Sequence, residues 1–521
     1  MRKYIQLLIM VFGLSACESF LDVKPEGEVL GDVLFETSEG CEDALYGVYA
    51  NLGQLELYGE VLSYELPDLL ASYYTKEKDY SQKIGYLLTY NYTGQGADRT
   101  PFDNIWTKMY ENISYANSIL YNLKGKEGRF RYYDFYKGEA LALRAFMHFE
   151  LCCAFAPAYR EETVATPAIP YCETYEPLVY PFRTVGDIYR KVIKDLKDAE
   201  VLLKDEEKYM NSLQGHALRE NTPGVSAFMT ERQFHLNLYA VQGLLARVYW
   251  MKNDMDSAVI YAKKVIGSEK FALTEKIYLQ DEYASRISIN ETLWGVRGQG
   301  KWAEKLDESF NNPSNEPRML LLPFNGYYIY EGMYDEGMFP QSWGFEQLFQ
   351  VEEYQGEQDF RMNWFRLYDS GENSRYRHFY KIYDQKGKLE GKKGVNMIRL
   401  PEMYLIMAEG LLKKDQVAEA RRYFDKYTEL RGFIWRDEVK NPFNMDLINK
   451  EYRKELMGEG RMWFNMKRQN MTLNSCMNYG MTFPGSDEVY VWPIPEDEFE
   501  FREGGKEGVY NPEAENEEKT N

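Results

Sequence analysis

Between His235 and Ile266 the apolar positions fall on two helical stripes separated by a polar turn. Leu238, Val241, Leu245 and Val248 recur at alternating steps of three and four residues, the spacing of one face of an α-helix. Asn253-Asp254 interrupts the stripe, and Ala258, Ala262 and Ile266 form a second one. Small residues such as Ala246 and Ala258 let two antiparallel helices approach closely, so the stretch predicts a helix-turn-helix unit. The unit recurs: Ala246, Ala258 and Tyr261 are spaced by twelve and three, and Ala408, Ala420 and Tyr423 repeat both intervals, with Lys414-Asp415 standing where Asn253-Asp254 stands. Such a repeat is tetratricopeptide-like.

The same reading places further helices along the chain. Thr37 or Ser38 caps one that runs through Ala44, Leu45, Val48 and Leu52. Ile105 to Leu120 carries Trp106, Tyr110, Ile113, Asn117 and Leu120 on one face, and Asn117 within that apolar stripe is expected to hydrogen-bond a neighbouring backbone group. Glu139 to Phe155 is helical and ends at Pro157. After a proline-rich loop, Thr184 with Asp187 forms a capping box for a helix that ends near Leu203. Helices resume at Met403–Leu412, Val417–Leu430 and Asp446–Lys467.

Two stretches break the helical period. Asp68 to Asp103 holds six tyrosines between Tyr73 and Tyr92 among glycines and charges, and Ser268 to Gly394 is rich in Gly, Asn, Pro and aromatics. Long irregular segments inside a helical protein commonly carry binding function. The expected fold is therefore all-α: a scaffold of helical pairs with a loop-rich lobe. The boundaries read as a leader over 1–16, a tether over 17–34, an N-terminal helical part over 35–268, the lobe over 269–394, and a C-terminal helical part and tail over 395–521.

The leader changes the picture most. Arg2-Lys3 precede an apolar run from Tyr4 to Leu14, well short of the about 20 residues a spanning helix needs, so it reads as a secretory leader. Leu14-Ser15-Ala16-Cys17 closes it and resembles the bacterial lipobox, which implies acylation of Cys17, cleavage before it and attachment of the 505 remaining residues to a membrane. A net charge of −20 argues against nucleic acid. Cys41, Cys152, Cys153, Cys172 and Cys476 are too scattered for a disulfide framework. The four histidines show no ligand spacing with cysteine or acid, so neither a structural zinc nor a cofactor is expected. Gly94-Gln95-Gly96 follows no apolar strand and is too short for a nucleotide loop.

Several blocks in order resemble the SusD/RagB family of outer-membrane lipoproteins. They are the lipobox with Phe20-Leu21-Asp22, the Trp106/Tyr110/Ile113/Asn117 helix, and Gly138-Glu139-Ala140 with Arg144-Ala145-Phe146. Further along come Arg399 to Leu405 with Ala408-Glu409, then Glu455-Leu456 with Glu459-Gly460-Arg461 and Trp463, and Pro493-Ile494-Pro495 with Glu498. Tyr452 stands where the family has arginine and Asn465 where it has aspartate, and the family's usual ending after Pro495 is absent. The resemblance implies a cell-surface protein anchored in the outer membrane that captures an oligosaccharide, or less often a peptide, and delivers it to a TonB-dependent transporter of the SusC kind without breaking a bond. The alternatives are a lipid-anchored glycoside hydrolase and a scaffold or peptide-binding member of the same family.

Glu451, Glu455 and Glu459 lie at four-residue steps, with Arg453 and Arg461 nearby. A glycosidase needs two carboxylates facing each other across a cleft. Acids stacked on one helix instead suggest ion pairs that fix it to its neighbours. The aromatics are better placed for function, at 16% of residues with 44 Tyr and 9 Trp. The C–H face of a pyranose buries well against a Tyr or Trp ring, while its hydroxyls need polar groups at the rim. The candidate rings are Tyr73, Tyr74, Trp302, Tyr328 and Trp343, with Asp79 and Arg297 as hydroxyl partners.

Overall fold

The computed structural model describes residues 33–73, 86–94, 97–210, 226–275, 289–311, 321–323, 349, 359–369, 375–379, 381, 394–432, 442–474 and 482–510. Helix α1 (Ser38–Leu52) opens on Thr37, whose hydroxyl accepts the Gly40 amide at 3.1 Å. Two π-type turns, Leu55–Gly59 and Val61–Glu65, and a short helix, Leu66–Leu70, follow it. Then come α2 (Thr100–Asn122), α3 (Tyr133–Phe155) and α4 (Val185–Leu202), the last capped by Thr184, which accepts from the Asp187 amide. Every residue of α3 except Asp134 and Lys137 is buried, so this helix is enclosed all round, with Glu139, Arg144, His148 and Glu150 among its buried residues, and forms the axis on which α2 and α4 pack.

The two repeated hairpins are α5 (Leu238–Met251) with α6 (Met255–Gly267), and, beyond α7 (Trp302–Asn311), α8 (Leu400–Leu412) with α9 (Val417–Leu430). Ala246, Ala258, Ala408 and Ala420 are fully buried at the crossings. The turn pairing differs by one residue from the sequence reading. The residues in the left-handed conformation are Asn253 (φ 60°) and Asp415 (φ 58°), each seven past its alanine, so Asp254 corresponds to Gln416. Asp254 caps α6, whereas Gln416 makes no cap. Where α6 meets α8, a Cβ on Gly410 would lie 2.5 Å from a Val259 methyl, so glycine sets the close approach of the two hairpins. Helices α10 (Met445–Leu456) and α11 (Met462–Gln469) complete the scaffold, divided by a turn that the sequence period read as continuous helix.

Strands are few and short. β1 (Pro167–Pro170) pairs with β2 (Phe182–Thr184) in the proline-rich loop. β3 (Thr292–Arg297) pairs with β7 (Gly394–Arg399), and β4 (Leu321–Pro323), β6 (Arg375–Phe379) and β5 (Phe365–Asp369) form a three-stranded antiparallel sheet inside the stretch read as irregular. Strands of three to six residues are too brief to show a period against aromatic-rich surroundings.

Charged and polar side chains wire the buried interfaces. Asn117 donates to the Cys172 carbonyl and accepts from Arg144, which forms a two-pronged pair with Asp195 at 2.8 and 2.9 Å. Trp106 Nε1 donates to Glu498 at 3.1 Å, Arg461 holds Glu150 with two bonds of 2.7 Å, and Arg247 holds Glu402 in the same way. Glu409 takes the Trp250 indole at 2.6 Å and Arg468 at 2.9 Å. Asn465 accepts from Arg468, whose charge is met by Glu409. Cys152 and Cys153 pack in the core, and the four described cysteines are free thiols.

Candidate functional site

Strands β3 and β7 pair at the two ends of the stretch read as a loop-rich lobe, and this two-stranded ladder is termed its neck. Beside it lies a buried cluster of five carboxylates, Glu291, Asp359, Glu451, Glu455 and Glu459, and five cations, Arg361, Lys381, Arg399, Arg431 and Lys454. Glu455 is the hub: it accepts from Arg399 at 2.7 Å, Arg431 at 3.0 Å, Arg361 at 3.3 Å and the Tyr427 hydroxyl at 2.9 Å. Lys381 reaches from the lobe to the carbonyls of Glu455 and Met457 and to Glu459 at 2.5 Å. Arg361, also from the lobe, is paired with Asp359 and with Glu451 at 2.9 Å. The formal charges cancel, so no isolated charge is left buried.

Burial alone would raise Glu455, but Arg431, Arg399 and Arg361 hold its carboxyl well below the usual carboxylate range. Burial brings Lys381 down to about 8, with Glu459 opposing. A glycosidase acid needs a raised pKa and a place at a cleft wall. Glu455 has neither, and Glu451 and Glu459 are tied into the same cluster. The ion-pair reading of these three acids holds, with two adjustments. Glu459 lies past the end of α10, and the cluster's partners come mainly from the lobe, β7 and α9, while Arg453 bonds the carbonyls of Ala71 and Ser72 and Arg461 bonds Glu150.

Two of the candidate rings belong to the core. Tyr73 is 1% exposed; its hydroxyl donates to the Arg453 carbonyl at 2.7 Å and the Arg453 guanidinium lies 4.4 Å from its ring centroid. Trp302 is 4% exposed, donates from Nε1 to the Gly59 carbonyl at 2.8 Å and packs against Gly298, where a Cβ would clash with the indole. Neither ring faces solvent, so both are corrected from ligand platforms to staples: Tyr73 ties the start of the first aromatic loop to α10, and Trp302 ties the neck to the π-turns after α1. Arg297 stays at the surface, paired with Glu231 and stacked 4.3 Å over Phe234. Tyr74, Asp79, Tyr328, Trp343 and Cys17 lie outside the described residues.

Trp302→Phe is expected to cost about 1–3 kcal/mol, because it keeps most of the ring but leaves the Gly59 carbonyl without its buried donor. Urea unfolding checks it, and an unchanged midpoint would show that the staple contributes nothing.

Sequence reading missed Asp68 altogether. Buried between the short helix Leu66–Leu70 and the turn after α10, it accepts the Gly458 amide at 2.5 Å, and burial pushes its carboxyl up to about 7. Gly460 in that turn has φ 64°, and a Cβ there would fall 2.0 Å from the Leu62 carbonyl oxygen. The signal was faint: one acid in an apolar run, Leu66-Pro67-Asp68-Leu69-Leu70.

Stacked helical pairs carrying a clamped lobe define a helical-scaffold protein, and comparison gives it a family. A family model described as starch-binding and associating with the outer membrane matches residues 19–217, and the SusD family model matches residues 314–513. A SusD-like protein of Formosa agariphila is 23% identical over 532 residues, covering 94% of both chains. Among solved structures, a SusD superfamily protein from Bacteroides thetaiotaomicron superposes with a TM-score of 0.68 at 18% identity, covering 89% of this chain and 97% of that one. Surface glycan-binding protein A from the same organism superposes with a TM-score of 0.59 at 17% identity over the same shares. The chain belongs to the SusD/RagB family.

Proposed function

We propose that this protein is a surface lipoprotein that binds oligosaccharides and passes them to a TonB-dependent outer-membrane transporter, without cleaving them. The observation that carries the reading is the family match at both ends of the chain, one of the two models being described as starch-binding, together with the structural likeness to a surface glycan-binding protein. The burial of Glu451, Glu455 and Glu459 in ion pairs supports binding over hydrolysis. The lobe over 269–394 and the first aromatic loop present the ligand surface, with Tyr74, Tyr328 and Trp343 as its rings and Asp79 and Arg297 as its hydroxyl partners. Among the described residues no helix is long and apolar enough to cross a membrane, and the proposed attachment is the lipid on Cys17.

Incubation with a panel of oligosaccharides tests the function. Depletion of a glycan without new reducing ends is the expected result, weakened at least tenfold by Trp343→Ala with Tyr328→Ala; new reducing ends would establish the hydrolase instead. Cys17→Ala is expected to move the protein out of the membrane fraction, and persistence there after a high-salt wash would refute the lipid anchor.

A further inference from the structure

A cleft of about 730 Å³ opens where the α3–α4 pair meets the turn between α5 and α6, and none of its lining comes from the lobe or the first aromatic loop. That volume falls in the range of small-molecule sites. Three separate segments build it: the loop after α3, the start of α4 and the α5–α6 turn. Tyr159 lines it half-buried, set edge-on to Tyr189 at 5.0 Å between centroids, and Tyr249 lies beneath, stacked on Tyr261 at 5.7 Å.

The rim carries two opposed pairs. Arg190 bonds Asp187 at 2.6 Å, and Lys252 stands 3.7 Å from Asp254 with its ammonium 5.5 Å from the Tyr159 centroid. Neither pair belongs to the buried wiring of the scaffold, and exposed pairs of this kind add little to stability. The two acids stand at helix starts: the Asp254 carboxylate accepts the Ser257 amide at 3.1 Å and so caps α6, and the backbone amide of Asp187 donates to Thr184 in the first turn of α4.

Two acids and two bases leave the lining without net charge, so the lining itself favours neither an anion nor a cation. It does offer acceptors beside donors above an aromatic wall. A sugar hydroxyl both donates and accepts, and adjacent hydroxyls on one ring can donate to a carboxylate while accepting from the neighbouring guanidinium or ammonium. We propose that this cleft is a second binding site, for a single neutral sugar residue, independent of the lobe.

The test uses the full-length mature protein in detergent, with the methyl glycosides of glucose, mannose and galactose as probes, read by saturation-transfer NMR and calorimetric titration. At least one is expected to bind saturably at millimolar concentration. Tyr159→Ala should weaken it at least tenfold and the largely exposed Arg190→Ala several-fold without moving the urea midpoint, while the Tyr328→Ala, Trp343→Ala variant should leave it unchanged. Absence of binding by all three glycosides, or indifference to both cleft variants, would overturn the proposal. So would tighter binding of methyl glucuronide or triglycine at the cleft, since the first requires a net positive site and the second a peptide groove. Loss of oligosaccharide retention only in the lobe variant bears on the lobe's function and leaves this site standing.

Discussion

Glu455→Ala is expected to remove about 3–5 kcal/mol of stability, the cost of breaking a buried ion pair on one side only. Arg399, Arg431 and Arg361 all donate to this one carboxylate, and all three are buried. Glu291, Glu451, Glu459 and Asp359 would then face five cations with four negative charges. Glu455→Gln should cost less, because the amide oxygen keeps one acceptor while the charge is lost. The pH dependence has a definite sign. A carboxyl held below its ordinary pKa contributes stability that is present above the unfolded value and lost as pH falls through the folded one. The wild type should therefore lose its advantage over Glu455→Gln in acid. Urea unfolding at pH 7 and at about pH 2.5, below the unfolded glutamate value of about 4.3, measures both effects, and a loss under about 1 kcal/mol for the alanine variant at pH 7 would mean that water screens the cluster.

The second large effect concerns Asp68, where the sign is reversed. Its carboxyl titrates near pH 7 in the folded protein, because burial, aided by Glu459, outweighs the Gly458 and Gly460 amides and Lys381. An unfolded aspartate titrates near 3.9, so across that window the folded state holds a proton that the unfolded state has released. Stability falls as pH rises between those values and levels off above about 7. A shift of about three units corresponds to something on the order of 4 kcal/mol. Asp68→Asn removes the titration, so the variant should gain on the wild type as pH rises from 5 to 7. Taking the difference between the two proteins cancels the titrations of groups that do not interact with Asp68, and reading it between pH 5 and 7 keeps most of the Lys381 titration out of the window. A difference that stays constant over that range would show that Asp68 keeps one protonation state throughout. Because Asp68 sits just before the loop that begins at Tyr74, the same measurement reports on the footing of the proposed ligand surface.

The helices were legible wherever a short-range pattern was enough. The 238–248 stripe, the Thr184 cap and the twelve-and-three repeat of alanines and tyrosine each involve residues within a few turns of one another, and the structure reproduces all three. Asn117 was readable for a related reason: an amide in an apolar stripe must find a partner, and the nearby backbone and Arg144 supply it. The hairpin turns were misaligned by one residue because polarity marks a turn, whereas the left-handed φ that closes it belongs to Asn253 and Asp415 alone.

The aromatic residues show where such reading stops. Tyr73 and Trp302 look in sequence like Tyr74 and Trp343, yet one meets Arg453, 380 residues away, and the other meets Gly59, 243 residues away. The charge cluster obeys the same rule. Three glutamates at four-residue steps announced ion pairs, but nothing local could say that Arg361 and Lys381 would come from the lobe to meet them. By itself the sequence determined the helical scaffold and the family, because periodicity, caps and ordered motifs are properties of neighbours along the chain. The tertiary structure alone decided which rings are core, which acids are neutralised and how the lobe is clamped, because burial and pairing depend on residues that only folding brings within a few ångströms.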